Sequence, residues 1–200
     1  MRKMSFIAFL LCIMIGIVFN DIVYAFKLDY DNEALNKETP RVEYTVMMIK
    51  PEISKDLIYE DDNIKIKFYL GIAVINIYIY NKTNKSIKLD YDLMSYIYVD
   101  NNSYRLYVSG TEKKDRNKPQ SFSIIAPHSN FKNSVRPEFA LDLPDINIFP
   151  SMGFAWNPTP EELLLSYKGK SFSFFIPLTI KGNLKDYNFT FKITDVEIIK

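Results

Sequence analysis

Few residues in this chain have the chemistry of a catalyst. Nucleophilic catalysis by a Ser, His and carboxylate set needs a histidine oriented by an acid beside the nucleophile, and the 200-residue chain holds one histidine, His128, directly after Pro127. A histidine in a proline-marked loop is more often a turn residue than a general base. Zinc sites draw three or four ligands from His, Cys and carboxylates, and one histidine with one cysteine, Cys12, does not supply them. Six scattered glycines form no phosphate-cradling loop. Asp29, Asp31, Asn32 and Glu33 have the acids of a calcium loop without the glycine that its sharp turn needs. The adjacent acids Asp61-Asp62 and Glu161-Glu162 are the remaining candidates. Glycoside hydrolysis uses two carboxyl groups about 5 to 9.5 Å apart across a cleft, but solvated-turn and helix-cap roles are the commoner use of such pairs. No catalytic, cofactor-binding or metal-binding residue is assigned.

Recognition chemistry is better supplied. Tyr78, Tyr80, Tyr91, Tyr96, Tyr98, Tyr104 and Tyr107 crowd one part of the chain. Exposed tyrosines bind sugars, peptides or proteins through flat, amphipathic rings, whereas packing on a pleated surface is the ordinary reason for tyrosine in a strand. Trp156, in MGFAWNPTP, reads as a plug beneath a long loop. Between these tyrosines and the next apolar run lies SGTEKKDRNKPQ, Ser109 to Gln120, with no apolar anchor. Such a loop is exposed, and loops commonly carry function. Arg116 within it has a planar five-donor fork that suits a carboxylate or paired carbonyls, either as a ligand anchor or as a clasp tying the loop to the domain. The candidate partner-binding residues are Arg116, Gln120, Tyr96, Tyr98 and Tyr107.

The elements that must position these residues are strands. From Ile64 to Ser109 the runs IKIKFY, IAVINIYIY, SIKLDYD and SYIYVDNNSYRLYVS follow one another with short polar breaks, the pattern of an antiparallel sandwich or barrel. Strands are expected over Val42–Ile49, Ile64–Tyr69, Ile72–Tyr80, Ser86–Tyr91, Tyr96–Val99, Tyr104–Val108, Ser121–Ala126, Ser171–Lys181 and Tyr187–Ile199. The Ile72–Tyr80 run is apolar on both faces and so predicts a central strand with a covered or aromatic outer surface. Asp100-Asn101-Asn102-Ser103 suits a hairpin turn. In the last run the apolar phase slips near Thr194-Asp195, which predicts a bulge. Ile75, Ile77, Leu89, Leu106, Phe174, Phe189 and Phe191 are expected in the core. Prolines from Pro127 to Pro150 predict a long irregular crossing. Thr159-Pro160-Glu161-Glu162 with Gly169 predicts one short helix over Pro160–Lys168.

The segment from Asn81 to Ser129 also resembles a recurring pattern in uncharacterised bacterial exported proteins and lipoproteins. Its matching positions are Asn81, Asp90, Tyr91, Ser95, Tyr96, Arg105, Arg116, Pro119, Gln120, Ile125, Pro127 and Ser129. The resemblance covers about a third of the chain and implies an exported immunoglobulin-like antiparallel β-sandwich, without naming an activity. The lipoprotein members carry a lipidated cysteine after their signal, a pattern this chain departs from, because Leu10 and Leu11 precede Cys12.

The N-terminus fits export. Arg2 and Lys3 precede an apolar run from Phe6 to Phe19, and Val23-Tyr24-Ala25 forms a signal-peptidase site. A membrane span needs about 20 apolar residues, and Asn20 and Asp21 interrupt this run. The expected division is a signal peptide over 1–25, a flexible leader over 26–41 and a single β-sandwich domain over 42–200. Removing Arg2, Lys3 and Asp21 from 25 basic and 24 acidic residues balances the two signs, which disfavours a nucleic-acid partner. With no cysteine after cleavage, no internal disulfide supports the fold, and the core must supply stability. The reading is an exported, non-enzymatic interaction module of the periplasm or cell surface, binding an envelope protein or glycan. The alternatives are a carboxylate-based hydrolase of envelope glycans and an assembly subunit that pairs through an edge strand.

Overall fold

Alternation of apolar and polar residues with period two is what a half-buried strand requires, and it organises most of the described residues. The structure, a computed structural model, describes residues 41–71, 74–141 and 165–199. These residues form antiparallel strands β1 (Arg41–Lys50), β2 (Ile58–Glu60), β3 (Ile64–Leu70), β4 (Ile75–Asn81), β5 (Ile87–Asp90), β6 (Ser95–Ile97), β7 (Ser103–Val108), β8 (Phe122–Ile125), β9 (Asn130–Pro137), β10 (Ser171–Ile180) and β11 (Asn183–Ile199). The sheet order is β1-β11-β10-β6-β7-β9-β4-β3-β2, with β5 pairing β10 and β8 pairing β5. A bridge between Met48 and Ser54, with both N–H···O distances 3.0 Å, draws the β1 end towards β2. The sheet is thus nearly closed.

Closure depends on β7. Residues 103–105 pair with β6 and residues 106–108 with β9, so the strand passes from one layer to the other. Leu106 and Tyr107 are both buried although adjacent: Leu106 faces the core, whereas Tyr107 lies on the Arg105 and Arg136 side of the strand and is covered by Arg105 and the loop whose Arg116 carbonyl it bonds. β10 also changes partner, pairing β6 at Ser173–Phe175 and β5 at Leu178–Ile180. Pro177, which has no N–H to donate, falls in the interval between those ladders, where a central strand tolerates it.

The core lies between the two layers. Phe68 of β3 meets Phe174, Phe189 and Phe191 of the opposite layer with ring centroids at 5.8, 4.8 and 5.2 Å. Burying each such side chain contributes about 1.5–3 kcal/mol. The seven residues expected in the core are all buried. β4 is central, between β3 and β9, with Ile75, Ile77 and Ile79 inward and Tyr78 and Tyr80 outward. The bulge is present too: Thr45 opposes Asp195 while Val46 opposes Ile193, leaving Thr194 as the extra residue. The Asp100–Ser103 turn forms with Asn101 at φ 67° and the Asp100 carboxylate accepting from the Asn102 N–H.

Three expectations need correction. The segment after Pro127 is not irregular throughout, since Asn130–Pro137 is β9, paired to both β4 and β7. Its inward set includes Asn133 and Pro137, which hid the alternation. The count of strands is also higher than expected, because the three-residue β2 is too short to show a period. No helix of the length expected over Pro160–Lys168 occurs among the described residues. Residues 160–164 lie outside them, and 165–168 form a turn in which Lys168 N–H donates to the Leu165 carbonyl before Gly169 at φ 86°. The signal peptide, nearly all of the leader and Trp156 also lie outside the described residues, and β1 starts at Arg41, the leader's last position. Among the described residues no helix is long and apolar enough to cross a membrane.

Candidate functional site

The loop Ser109–Gln120 is held to the domain at several points. Arg105, pointing from β7, donates to the Arg116 carbonyl at 2.9 Å and the Tyr107 hydroxyl at 3.2 Å, and pairs with Asp92. Tyr107 donates its hydroxyl to the same Arg116 carbonyl at 2.7 Å. Asp92 also accepts from the Gln120 backbone N–H at 3.1 Å. Burial works against its charge, but the Arg105 guanidinium and the Gln120 N–H outweigh it and hold the carboxyl below its ordinary range. The Gln120 side chain accepts from Val108 N–H at 3.0 Å and donates to the Leu106 carbonyl at 2.8 Å. Those groups lie past the end of the β6 ladder, so Gln120 acts on β7 as a neighbouring strand would. The Arg105 guanidinium forms a clasp here, with the Arg116 carbonyl as its acceptor.

This geometry relocates the expected partner-binding residues. Tyr96 and Tyr107 are each 1% exposed, Tyr96 in the core and Tyr107 beneath Arg105 and the loop, so neither has a face to present to a partner. Burial pushes the Tyr96 hydroxyl well above its ordinary pKa. Tyr98 is half-buried against Tyr96, Tyr104 and Phe139, with centroids 5.9–6.4 Å apart. Gln120 is committed to β7. Arg116 is partly exposed on the loop. The structure gathers Arg116, Gln120 and Tyr107 at the clasp and places Tyr96 and Tyr98 elsewhere.

Several other positions of the exported-protein pattern hold the fold as well. Asn81, fully buried, donates to the carbonyls of Lys85, Ile125 and Ala126 and accepts from Thr83 N–H and hydroxyl, at 2.8–3.1 Å. Its own N–H reaches the Ser129 carbonyl, and Ser129 Oγ donates to Ala126. Asp90 accepts from Asp92 N–H at the start of a short 3-10 turn over Tyr91–Leu93. The Tyr91 hydroxyl meets Ser123 and Asn133. Apart from the exposed Ser129–Ala126 bond, these bonds satisfy partly or fully buried polar groups that would otherwise cost about 1–3 kcal/mol each.

Asp61 has a comparable post. Its carboxylate accepts from Asn63 and Ile64 N–H at 2.8 Å, from Lys185 Nζ at 2.7 Å and from the Tyr187 hydroxyl at 2.9 Å, joining the β2–β3 turn to β11. Burial raises its pKa, but the Lys185 ammonium and the two N–H groups dominate and bring it down to about 2. Burial and the Asp61 bond push Tyr187 up to about 12. Asp61 is therefore ionised throughout the range in which a glycosidase acid must hold a proton. Glu161-Glu162 lies outside the described residues. His128 is exposed with φ 51°, a turn residue. A shallow cleft of about 430 Å³ between two turns is lined by Asn84, Lys85, Ser86, Lys181 and Gly182 and contains no carboxylate. No cluster of metal-ligating side chains occurs among the described residues.

What sequence reasoning missed is the outer face of β3, β4 and β9. The register sets Lys67, Tyr78 and Lys132 in one row across three strands, with Tyr69, Asn76 and Ser134 in the next and Lys65, Tyr80 and Asn130 on the other side. Tyr69 and Tyr78 meet edge to face at 4.9 Å. Lys67 Nζ lies 4.7 Å from the Tyr69 ring centre, and Lys132 Nζ 5.0 Å from that of Tyr78. Ser134 donates to Asn76 Oδ1 at 2.6 Å. Glu60 stands at the rim, paired with Lys65 and Lys82. The result is an outward aromatic face interspersed with ammonium groups. Alternation put Tyr78 and Tyr80 on one face in the sequence, but the lysine neighbours come from register with strands that include the hidden β9. No protein family, no curated protein and no solved structure matches this chain.

Proposed function

We propose that this protein is an exported, non-enzymatic interaction module whose outer β3–β4–β9 face holds an acidic glycan of the cell envelope. The observation that carries the reading is the Lys67–Tyr78–Lys132 row. Neighbouring strands lie about 4.8 Å apart, so the Lys67 and Lys132 backbones stand roughly 10 Å apart with Tyr78 between them, Lys67 Nζ reaching over Tyr69 and Lys132 Nζ over Tyr78. A sugar ring can stack its C–H face on Tyr78 while acidic substituents on either side meet the lysines. A cation over an aromatic face is held by only about 0.5–1 kcal/mol at an exposed site, so Lys132, on the Tyr78 ring, can turn to an anion. The non-enzymatic part rests on Asp61 and Asp92, whose carboxylates are spent on structural contacts. The resemblance to exported proteins supports the location, and the two facing layers joined through β7 suit the immunoglobulin-like description it implies.

Calorimetric titration with an acidic and a neutral polysaccharide tests the reading. Binding to the acidic polymer is expected, weakening with salt, and it should fall at least tenfold in Tyr78→Ala and in Lys132→Glu with the melting temperature nearly unchanged. Equal binding of both polymers, or binding that both variants retain, removes this face as the site.

A further inference from the structure

The structure leaves one strand edge unlike the others. We infer that β8 is a self-association edge, on which a second copy of this chain adds its own β8 antiparallel about a two-fold axis. Among the described residues β8 pairs only with β5. Its inward residues Ser123 and Ile125 face Leu89 and Ile87, so Phe122 and Ile124 point outward. They are 54% and 56% exposed, among the most exposed large apolar side chains described. The outward row continues from Ile124 through Lys88 and Thr179 to Leu184, itself 59% exposed.

Exposed edges are ordinarily guarded by charge, proline or brevity. β1 carries Glu43 and Lys50, and β2 is three residues long, ends in Glu60 and follows Lys55 and Asp56. From Pro119 to Pro127 the β8 segment, PQSFSIIAP, has no charge at all, and its prolines stand outside the strand. Two copies therefore approach without like-charge repulsion.

The strand also complements itself. Antiparallel pairing that keeps outward residues on one face and overlaps the strands most fully sets Ser123 opposite Ser123 of the second copy. Phe122 then opposes Ile124 of the second copy, and Ile124 opposes Phe122. Aromatic and β-branched cross-strand pairs of this kind stabilise a sheet, and here the symmetry makes two of them. Lys88 Nζ, 4.5 Å from the Phe122 ring centre and 2.9 Å from Asp90, is already neutralised beside the contact. The product is a continuous β5–β8–β8–β5 sheet with an isologous interface.

Light scattering on the full chain across a concentration series, beside Ile124→Lys, tests this. The wild type should reach the mass of two chains and Ile124→Lys should stay at one, with equal melting temperatures at high dilution. Register is tested separately in Cys12→Ser chains carrying Phe122→Cys or Ile124→Cys. Mild oxidation should cross-link a mixture of the two variants several-fold more than either alone. A monomer at every concentration overturns the inference. So does a dimer that survives Ile124→Lys, which would place association elsewhere, as through residues 1–40, and equal cross-linking in mixed and unmixed samples refutes the register.

Discussion

Asp61 and Arg105 show how single polar residues are spent in this molecule. The folded pKa of Asp61 is depressed from 3.8 to about 2, so its contribution is complete above about pH 4 and is lost as pH falls towards 2. Asp61→Asn should lower stability at neutral pH by about 1–2 kcal/mol, after allowance for solvent screening. It should also flatten the stability profile between about pH 4 and 2, as read from urea unfolding at several pH values. An unchanged profile would mean that Lys185 and Tyr187 do not hold this carboxylate in solution. Arg105→Ala removes the fork that binds Asp92 and the Arg116 carbonyl. A loss of about 1.5–3 kcal/mol follows from a charged hydrogen-bonding group of this kind, with faster amide exchange over 109–120. Slow exchange there in the variant would show that Gln120 and the Tyr107 hydroxyl anchor the loop without Arg105.

At the scale of elements, the two layers meet through aromatic rings. Phe68 contacts three phenylalanines of the opposite layer, and Phe68→Ala should cost about 3–5 kcal/mol in chemical denaturation. A cost under about 1 kcal/mol would mean that the layers do not close on that ring as described. The Lys181-Gly182 turn between β10 and β11, with φ of 53° and 83°, has the positive dihedrals of a tight hairpin. It fixes the long ladder from Ser171↔Lys192 to Ile180↔Asn183. That ladder puts Phe174 and Phe189 on the inward face together, so turn chemistry and core packing enforce one register.

At the scale of the whole molecule, one continuous cluster of buried residues runs through both layers, and unfolding should be a single cooperative transition. Location is tested independently. Mass spectrometry of the envelope and medium fractions should find a chain beginning at Phe26, and a chain retaining its N-terminus, or lipid on Cys12, would contradict export by signal cleavage.

The sequence by itself determined most of the strands, the Asp100–Ser103 turn, the bulge at Thr194 and the seven core residues. All of these are local, because a period of two and a slip in that period are written in consecutive side chains. Only the tertiary structure decided which tyrosines face water. Tyr96 and Tyr78 have similar strand contexts, yet one lies under Phe139 and Phe174 and the other stands outside beside Lys132. Likewise, the loop's own residues offered Arg116 as ligand anchor or clasp, while the tie from the Arg105 guanidinium of β7 to the Arg116 carbonyl came only from pairing across the fold. β9 escaped notice because Asn133 takes an inward place that its bond to Tyr91 makes tolerable. Burial and partnership are properties of strand pairing across long sequence distances, and one strand's own residues do not encode who stands beside it.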